Sequence, residues 1–401
     1  MKRIGYLWDD FISEENVIAS VLNGTVNKHK DRAVKRLMFS PEEAAENPSL
    51  AGAVDPRRAL EFMRPYLDQL AAGTWKHTKP RYIHRFCRNR ASSHGKWRDL
   101  YVPALSDHII GHMAYSAARV AFERGMHPHC CGSVRGRGIM HIVRTVSRWL
   151  RTDPDCRYFV KLDIRHFFDS IDPDLLMDCL RRKIKDEKLL NVFYQIIHAS
   201  PSACPVGFFT SPALANLYLE KFDWYIEQEL YKERRGKRIK FVRHYLRYMD
   251  DMLLIGSSKS DLYKAVRKIK SYLAGIGLEL KNNWEIKKTK DYMIDIGGYK
   301  FCRDFVVLRD GVFLATCRLA KKIRKRGYAT EHDRAALQSR YAWAGHADCY
   351  QFTEEIENVA KIRKRRKCKT GGNRKIQPGR DCSAKLPADS GIRGNAGTLV
   401  L

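Results

Sequence analysis

Tyr245-Leu246-Arg247-Tyr248-Met249-Asp250-Asp251-Met252-Leu253-Leu254-Ile255-Gly256 consists of two short, mostly apolar runs with a pair of aspartates between them. Runs of this length, ended by a glycine, predict two strands, which leaves the aspartates in the turn of a hairpin. Neighbouring side chains on a regular strand point to opposite faces, so adjacent carboxylates can serve one site only from a tight turn. Clustered carboxylates supply the hard oxygen ligands that magnesium prefers, and phosphoryl transfer often places two such ions on the attacking and leaving oxygens. That chemistry needs a third carboxylate on a neighbouring strand. Tyr158-Phe159-Val160-Lys161-Leu162-Asp163-Ile164 reads as a buried strand and supplies Asp163 near its end. A lone Asp-Asp pair is most often a solvated turn, so the weight falls on what flanks it.

Outward from the hairpin, the order of elements predicts an α+β chain rather than a doubly wound sheet. Ser211-Pro212 opens a helix with Leu214, Leu217, Phe222, Tyr225 and Ile226 on its buried face. Asp172-Pro173 opens another by the same cap-and-proline signal. From Ser260, Leu262, Val266, Ile269 and Leu273 recur at helical spacing, and Gly275 or Gly277 stops the helix. Upstream, Ser40-Pro41 and Pro56 mark two helix starts, the second carrying Leu60, Met63, Leu67 and Leu70. Residues 76–107 are basic and aromatic, as in short strands and loops, and a helix follows from about Asp107.

The chain has 401 residues and 74 Lys and Arg against 45 Asp and Glu, a formal charge of +29. Such an excess points to a polyanionic partner, because neutralising each phosphate releases counterions. By this test alone ribosomal proteins and nucleases look the same. No run of about 18 apolar residues suits a membrane span, the N-terminus lacks the apolar core of a secretory signal, and a cytoplasmic location is expected. The eleven cysteines contain no C-x2-C pair, so reduced, mostly buried thiols are expected over zinc or disulfides.

Tyr248-Met249-Asp250-Asp251 fits the YxDD box of reverse transcriptases, and the chain resembles that family at further places in family order. Asp163 is followed five residues later by an aromatic, Phe168. Val206-Gly207-Phe208-Phe209-Thr210-Ser211-Pro212 is similar to the G-x-x-x-S-P motif of the nucleotide pocket. Gly277-Leu278-Glu279-Leu280 and Ile296-Gly297-Gly298-Tyr299 resemble the next two motifs, the latter the primer grip. Lys96-Trp97-Arg98 and the Gly132–Gly138 loop with Arg135 resemble fingers segments that hold template and triphosphate. The resemblance implies a right-hand polymerase with fingers, antiparallel-sheet palm and helical thumb. The implied division is a helical extension over 1–75, fingers over 76–150, palm over 151–304 with part of the fingers inserted, thumb over 305–358, and a basic, disordered tail over 359–401. It further implies RNA-directed DNA synthesis with two Mg²⁺ on Asp163, Asp250 and Asp251. Lys96, Arg98, Arg135, Phe168, Val206, Gly207, Tyr248 and Met249 would face nucleotide and template, and Gly297, Gly298 and Tyr299 the primer. Phe168 would lie against the sugar and select dNTPs. Lys321-Lys322-Ile323-Arg324-Lys325-Arg326 in the thumb would track the RNA–DNA hybrid by charge and shape.

Within the family, Val206 stands where a glutamine is usual, which removes an amide near the incoming nucleotide and should loosen base discrimination. In this it resembles the mutagenic reverse transcriptases of diversity-generating retroelements, as do Asn283-Trp284-Glu285 and the Trp343-Ala344-Gly345-His346 stretch. That group implies a basic accessory protein and a cognate structured RNA as partners. Ser211-Pro212 departs from its usual Ser-Gln. Open alternatives are an antiphage-defence reverse transcriptase, a basic nuclease, and a polymerase-derived RNA-binding protein without catalysis.

Overall fold

In the computed structural model the described residues are 3–28, 30–88, 95–349, 352, 354, 356 and 358. The expected basic tail from residue 359 lies outside them. Five helices come first: α1 (Leu7–Ile12), α2 (Glu14–Thr25), α3 (Arg32–Arg36), α4 (Pro41–Glu46) and α5 (Pro56–Ala71). Ser40 and Glu43 close a capping box on α4, and Asp55 caps α5 by accepting from the Arg57 amide, so both predicted starts stand. A hairpin of β1 (Arg81–Arg88) and β2 (Gly95–Val102) precedes α6 (Leu105–Glu123) and α7 (Ile139–Thr152).

The central sheet is built from β3 (Tyr158–Arg165), β6 (His244–Tyr248), β7 (Asp251–Gly256), β8 (Glu279–Leu280) and β9 (Ile286–Lys288), in the antiparallel order β6-β7-β3-β8 with β9 also on β3. Between β3 and β6 run α8 (Pro173–Arg181), α9 (Glu187–Ile197), α10 (Ser211–Tyr218), α11 (Glu220–Gln228) and a small hairpin, β4 (Tyr231–Arg234) with β5 (Lys237–Lys240). The single helix expected from Ser211 is thus two, because the backbone at Leu219 leaves helical geometry (φ −90°, ψ 1°). The helix α12 (Lys259–Ala274) starts one residue before the expected Ser260, since Ser258 accepts from the Asp261 amide as its cap, and it ends at Gly275.

The sheet divides two apolar clusters. Val160, Leu162, Ile164, Tyr245, Met252 and Leu254 face the helices α6 and α8–α12 in the larger one. Phe159, Leu246, Leu253 and Ile255 alternate onto the other face. There they meet α7 and the three-stranded sheet β10 (Ile294–Ile296), β11 (Tyr299–Phe301) and β12 (Val306–Leu308), together with α13 (Asp310–Arg326) and α14 (Glu331–Ala344). The hairpin, the central sheet and the last two helices fall in the stretches expected to form fingers, palm and thumb. On α13 Ile323 is buried while Lys321, Lys322, Arg324 and Lys325 are exposed, so the charge run is a surface stripe over a packed residue. Among the described residues no helix is long and apolar enough to cross a membrane.

Four of the nine described cysteines are buried and five half-buried, and none of the nine is in a disulfide, so burial is less general than expected. Cys130 and Cys131 are pushed up to about 11 and about 12 by burial and are neutral thiols at physiological pH.

Candidate active site at the β6–β7 turn

Tyr248 pairs across the hairpin with Asp251, leaving Met249 and Asp250 as the turn. Met249 is left-handed (φ 57°), a conformation that costs a non-glycine residue about 1–3 kcal/mol and survives only where neighbours hold it. Arg247 holds it: its Nη1 donates to the Met249 carbonyl at 3.0 Å. The guanidinium is fully buried and also grips Asp223 of α11 through two bonds of 2.7 Å. It reaches Asn216 Oδ1 at 2.9 Å and Cys130 Sγ at 3.2 Å. Burial works most strongly against its charge, but Asp223, Cys130 and Tyr245 together outweigh burial and keep it protonated. Asn216 in turn donates to the Gly132 carbonyl at 2.7 Å, and Gly132 backs onto Met249 so closely that a Cβ there would meet its Sδ at 2.6 Å. The turn is clamped from both sides.

Asp163 lies directly opposite Asp251 in the β3–β7 ladder, so the sequence-predicted trio converges at one end of the sheet. Burial and then the two neighbouring carboxylates raise the proton affinity of Asp250 above the usual carboxylate range. Asp251 is raised as well, by burial foremost and by Asp163. Lys281, just past β8, donates its Nζ to Asp163 Oδ2 at 2.7 Å, and its amide donates to the Asp163 carbonyl at 2.9 Å. The other carboxylate oxygen, Asp163 Oδ1, is buried without a partner. Three neighbouring carboxylates, one with an orphaned oxygen, offer the hard oxygen ligands a divalent cation takes, although their oxygens do not all lie within 4.8 Å of one another, and buried polar atoms are seldom left unmatched for no reason.

The surrounding expected residues are distributed unevenly. Phe167 packs inside and Phe168 beside it is half-buried, its carbonyl accepting from Ser202. Val206 is half-buried and Gly207 exposed with φ 122°. Lys96, Arg98 and Arg135 are exposed, and none forms an ion pair with the three aspartates among the described residues. Gly297 and Gly298 form the β10–β11 turn, both left-handed. Tyr299, by contrast, is 1% exposed, stacked 5.6 Å from Trp343 with its hydroxyl donating to the Trp343 carbonyl, so its side chain serves the packing of α14 on β11. A cavity of about 690 Å³ lies elsewhere, near Tyr158, Tyr292 and Phe305; a site for a duplex is an open cleft and need not form a pocket. Reading the sequence missed Arg247, Asp223 and Lys281. Only Lys281 carried a local signal, standing immediately after Gly277–Leu280.

The family described as "Reverse transcriptase (RNA-dependent DNA polymerase)" matches residues 89–294. Protein YkfC of Escherichia coli (strain K12) is 27% identical over 268 residues, covering 58% of this chain and 67% of that protein. The Retron Ec73 reverse transcriptase of Escherichia coli is 25% identical over 275 residues, covering 66% of this chain and 83% of the relative. Among solved structures, apo telomerase from Candida Tropicalis aligns with a TM-score of 0.46 at 12% identity, over 72% of this chain and 57% of that one. A match across more than half of the chain, spanning the strands that carry all three aspartates, makes it a member of the reverse transcriptase family.

Proposed function

We propose that this RNA-directed DNA polymerase extends a primer at Asp163, Asp250 and Asp251, which hold two magnesium ions. The observation that carries the reading is the unpartnered Asp163 Oδ1 beside two carboxylates whose proton affinity is raised by burial first and by neighbouring carboxylates after it; a bound cation relieves both. Magnesium supplies positive charge for the oxygens that gain negative charge in phosphoryl transfer. The chain's own residues do the positioning, which is most of what such a reaction requires. Phe168 crowds the sugar and disfavours a 2′-hydroxyl. Lys281 keeps an ammonium at Asp163. Lys96, Arg98 and Arg135 neutralise triphosphate or template phosphates, and the Gly297-Gly298 turn lets the primer backbone approach. In this reading the division into extension, fingers, palm, thumb and tail follows the boundaries given above. With purified protein, a defined RNA template, dNTPs and Mg²⁺, cDNA is expected, and Asp250→Ala is expected to abolish it with RNA affinity unchanged. Polymerisation retained in that variant would overturn the site.

Val206 supports a finer reading, an error-prone enzyme of a diversity-generating retroelement with a basic accessory protein and a structured RNA. The likeness to the Retron Ec73 reverse transcriptase and the ordinary Ser211-Pro212 favour a retron-type role as the second reading. Sequencing the cDNA separates them: misincorporation concentrated at template adenines supports the first, and faithful cDNA the second.

A further inference from the structure

The far end of the central sheet holds a cavity that the aspartates do not use. A strand rises about 3.3 Å per residue, so Tyr158 at the start of β3 lies roughly 17 Å from Asp163 near its end. There a space of about 690 Å³ opens between the paired ends of β3 and β9 and the turn joining β11 to β12. Tyr158 and Phe305, both half-buried, and Tyr292, 54% exposed, line it with rings. Arg157, Lys288, Lys290 and Arg303 line it with cations, against Asp291 and Asp304 as the acids. Arg157 is paired with Asp155 at 3.2 Å. Lys288, Lys290 and Arg303 carry no ion pair among the described residues. Burial, followed by Asp153, pushes the Cys156 thiol up to about 12, and Arg303 opposes them, so the Arg303 charge is felt at the cavity wall.

The walls are fixed before anything enters. Thr289 ties the end of β9 to the start of β3, its hydroxyl donating to the Cys156 carbonyl at 2.6 Å and its amide to the Arg157 carbonyl at 3.0 Å. The turn that follows is closed by the Tyr292 amide, which donates to the Lys288 carbonyl at 3.1 Å. The Lys287 ammonium lies over the Tyr292 ring, 5.0 Å from its centre. Across the cavity the Cys302 amide donates to the Phe305 carbonyl at 3.0 Å, and the Phe305 amide to Cys302 Sγ at 3.3 Å. A ligand entering such a frame has little backbone left to order.

We propose that this cavity binds a nucleoside triphosphate at a second site, separate from the three aspartates and independent of the reaction there. Ring faces take a planar base, and the unpaired ammonium and guanidinium groups take the phosphates. The volume lies within the roughly 300–1,000 Å³ of small-molecule sites, which suits a mononucleotide rather than a strand. The lining comes from two sheets: Tyr158 and Lys288 belong to the central one, Phe305 to the β11–β12 turn of the three-stranded one. A ligand there touches both and adds its binding free energy to the stability of their contact.

The test is fluorescence anisotropy of the full chain with methylanthraniloyl-labelled ATP in EDTA, which denies the aspartates the cations that a triphosphate needs beside them. A single saturable site should appear, with unlabelled ATP competing better than tripolyphosphate, which has no base. Arg303→Glu should weaken binding about tenfold or more and Tyr292→Ala about fivefold or more. Tyr292→Phe, which keeps a ring, should recover most of the second loss. Both side chains are exposed, so the variants should melt as the wild type does, and ATP should raise the melting temperature of the wild type most. Asp250→Ala should bind the label as tightly as the wild type. Loss of binding in Asp250→Ala, full binding in both cavity variants, or equal competition by tripolyphosphate would overturn the proposal. So would an RNA oligonucleotide that displaces the label at about a tenfold lower concentration than ATP, an outcome that gives the cavity to a strand end.

Discussion

The guanidinium of Arg247 has no exposure to water, yet it lies two residues before a turn that must meet solvent and substrate. Its work is mechanical, tying the Met249 carbonyl to α11 through Asp223. Arg247→Met leaves Asp223 as an uncompensated buried charge and should cost about 3–5 kcal/mol in urea unfolding. Arg247→Met with Asp223→Leu should recover much of that stability, but cDNA synthesis should stay low because Met249 still lacks its donor. Recovery of both would make the pair merely structural. At Val206, substitution by Gln should lower the error frequency in sequenced cDNA, and an unchanged error spectrum would remove the side chain from fidelity. The carboxylate trio was legible because turn, strand and spacing are local properties. Arg247 was not: a charged residue on a hairpin reads as exposed, and its partner Asp223 lies on a helix that only the folded chain brings near.

At the scale of elements, the junction between α14 and the three-stranded sheet rests on Trp343 lying over the β10–β11 turn. A Cβ on Gly298 would come 2.3 Å from that ring, at a φ of 89°. Gly298→Ala should therefore destabilise the junction by about 1–3 kcal/mol and shorten cDNA products, measured by thermal unfolding and product length. A second clamp joins the end of α7 to β6. Burial alone would raise Asp153, but Arg243, the Asp155 amide and His244 bring it down to about 2 from 3.8. A lowered carboxyl stabilises fully above its unfolded value and loses the effect as pH falls through its folded value. The stability gap between wild type and Asp153→Asn should thus shrink as pH falls from about 5 toward 2. Helix starts were readable from Ser40, Pro56 and Asp172, where cap chemistry is local. The break at Leu219 was not, since no Gly or Pro marks it and tertiary packing sets it. The β4–β5 hairpin also escaped notice, because its strands are almost wholly charged or polar and only Arg235-Gly236, both left-handed, announces the turn.

For the whole molecule, charge sets the binding and its salt dependence. Residues 360–401 hold 12 Lys and Arg against 2 Asp. Truncation after residue 359 should weaken RNA binding and flatten the plot of log affinity against log salt, each lost phosphate contact removing roughly 0.7–0.9 from the slope. An unchanged slope would mean the tail makes no phosphate contacts. The right-hand layout was legible from motif order, whereas the two-sided packing of the sheet was not, since alternation reveals that a strand has two faces but not what covers each. That packing has a consequence for motion. The sheet is a partition with a separate apolar filling on either side, so the two halves can melt at different free energies. Amide exchange should show two cooperative blocks, with α13, α14 and β10–β12 opening first while α8–α12 stay protected. An enzyme built this way can loosen its grip on a duplex, let the strand advance by a step, and re-close without disturbing the wall on which its aspartates stand.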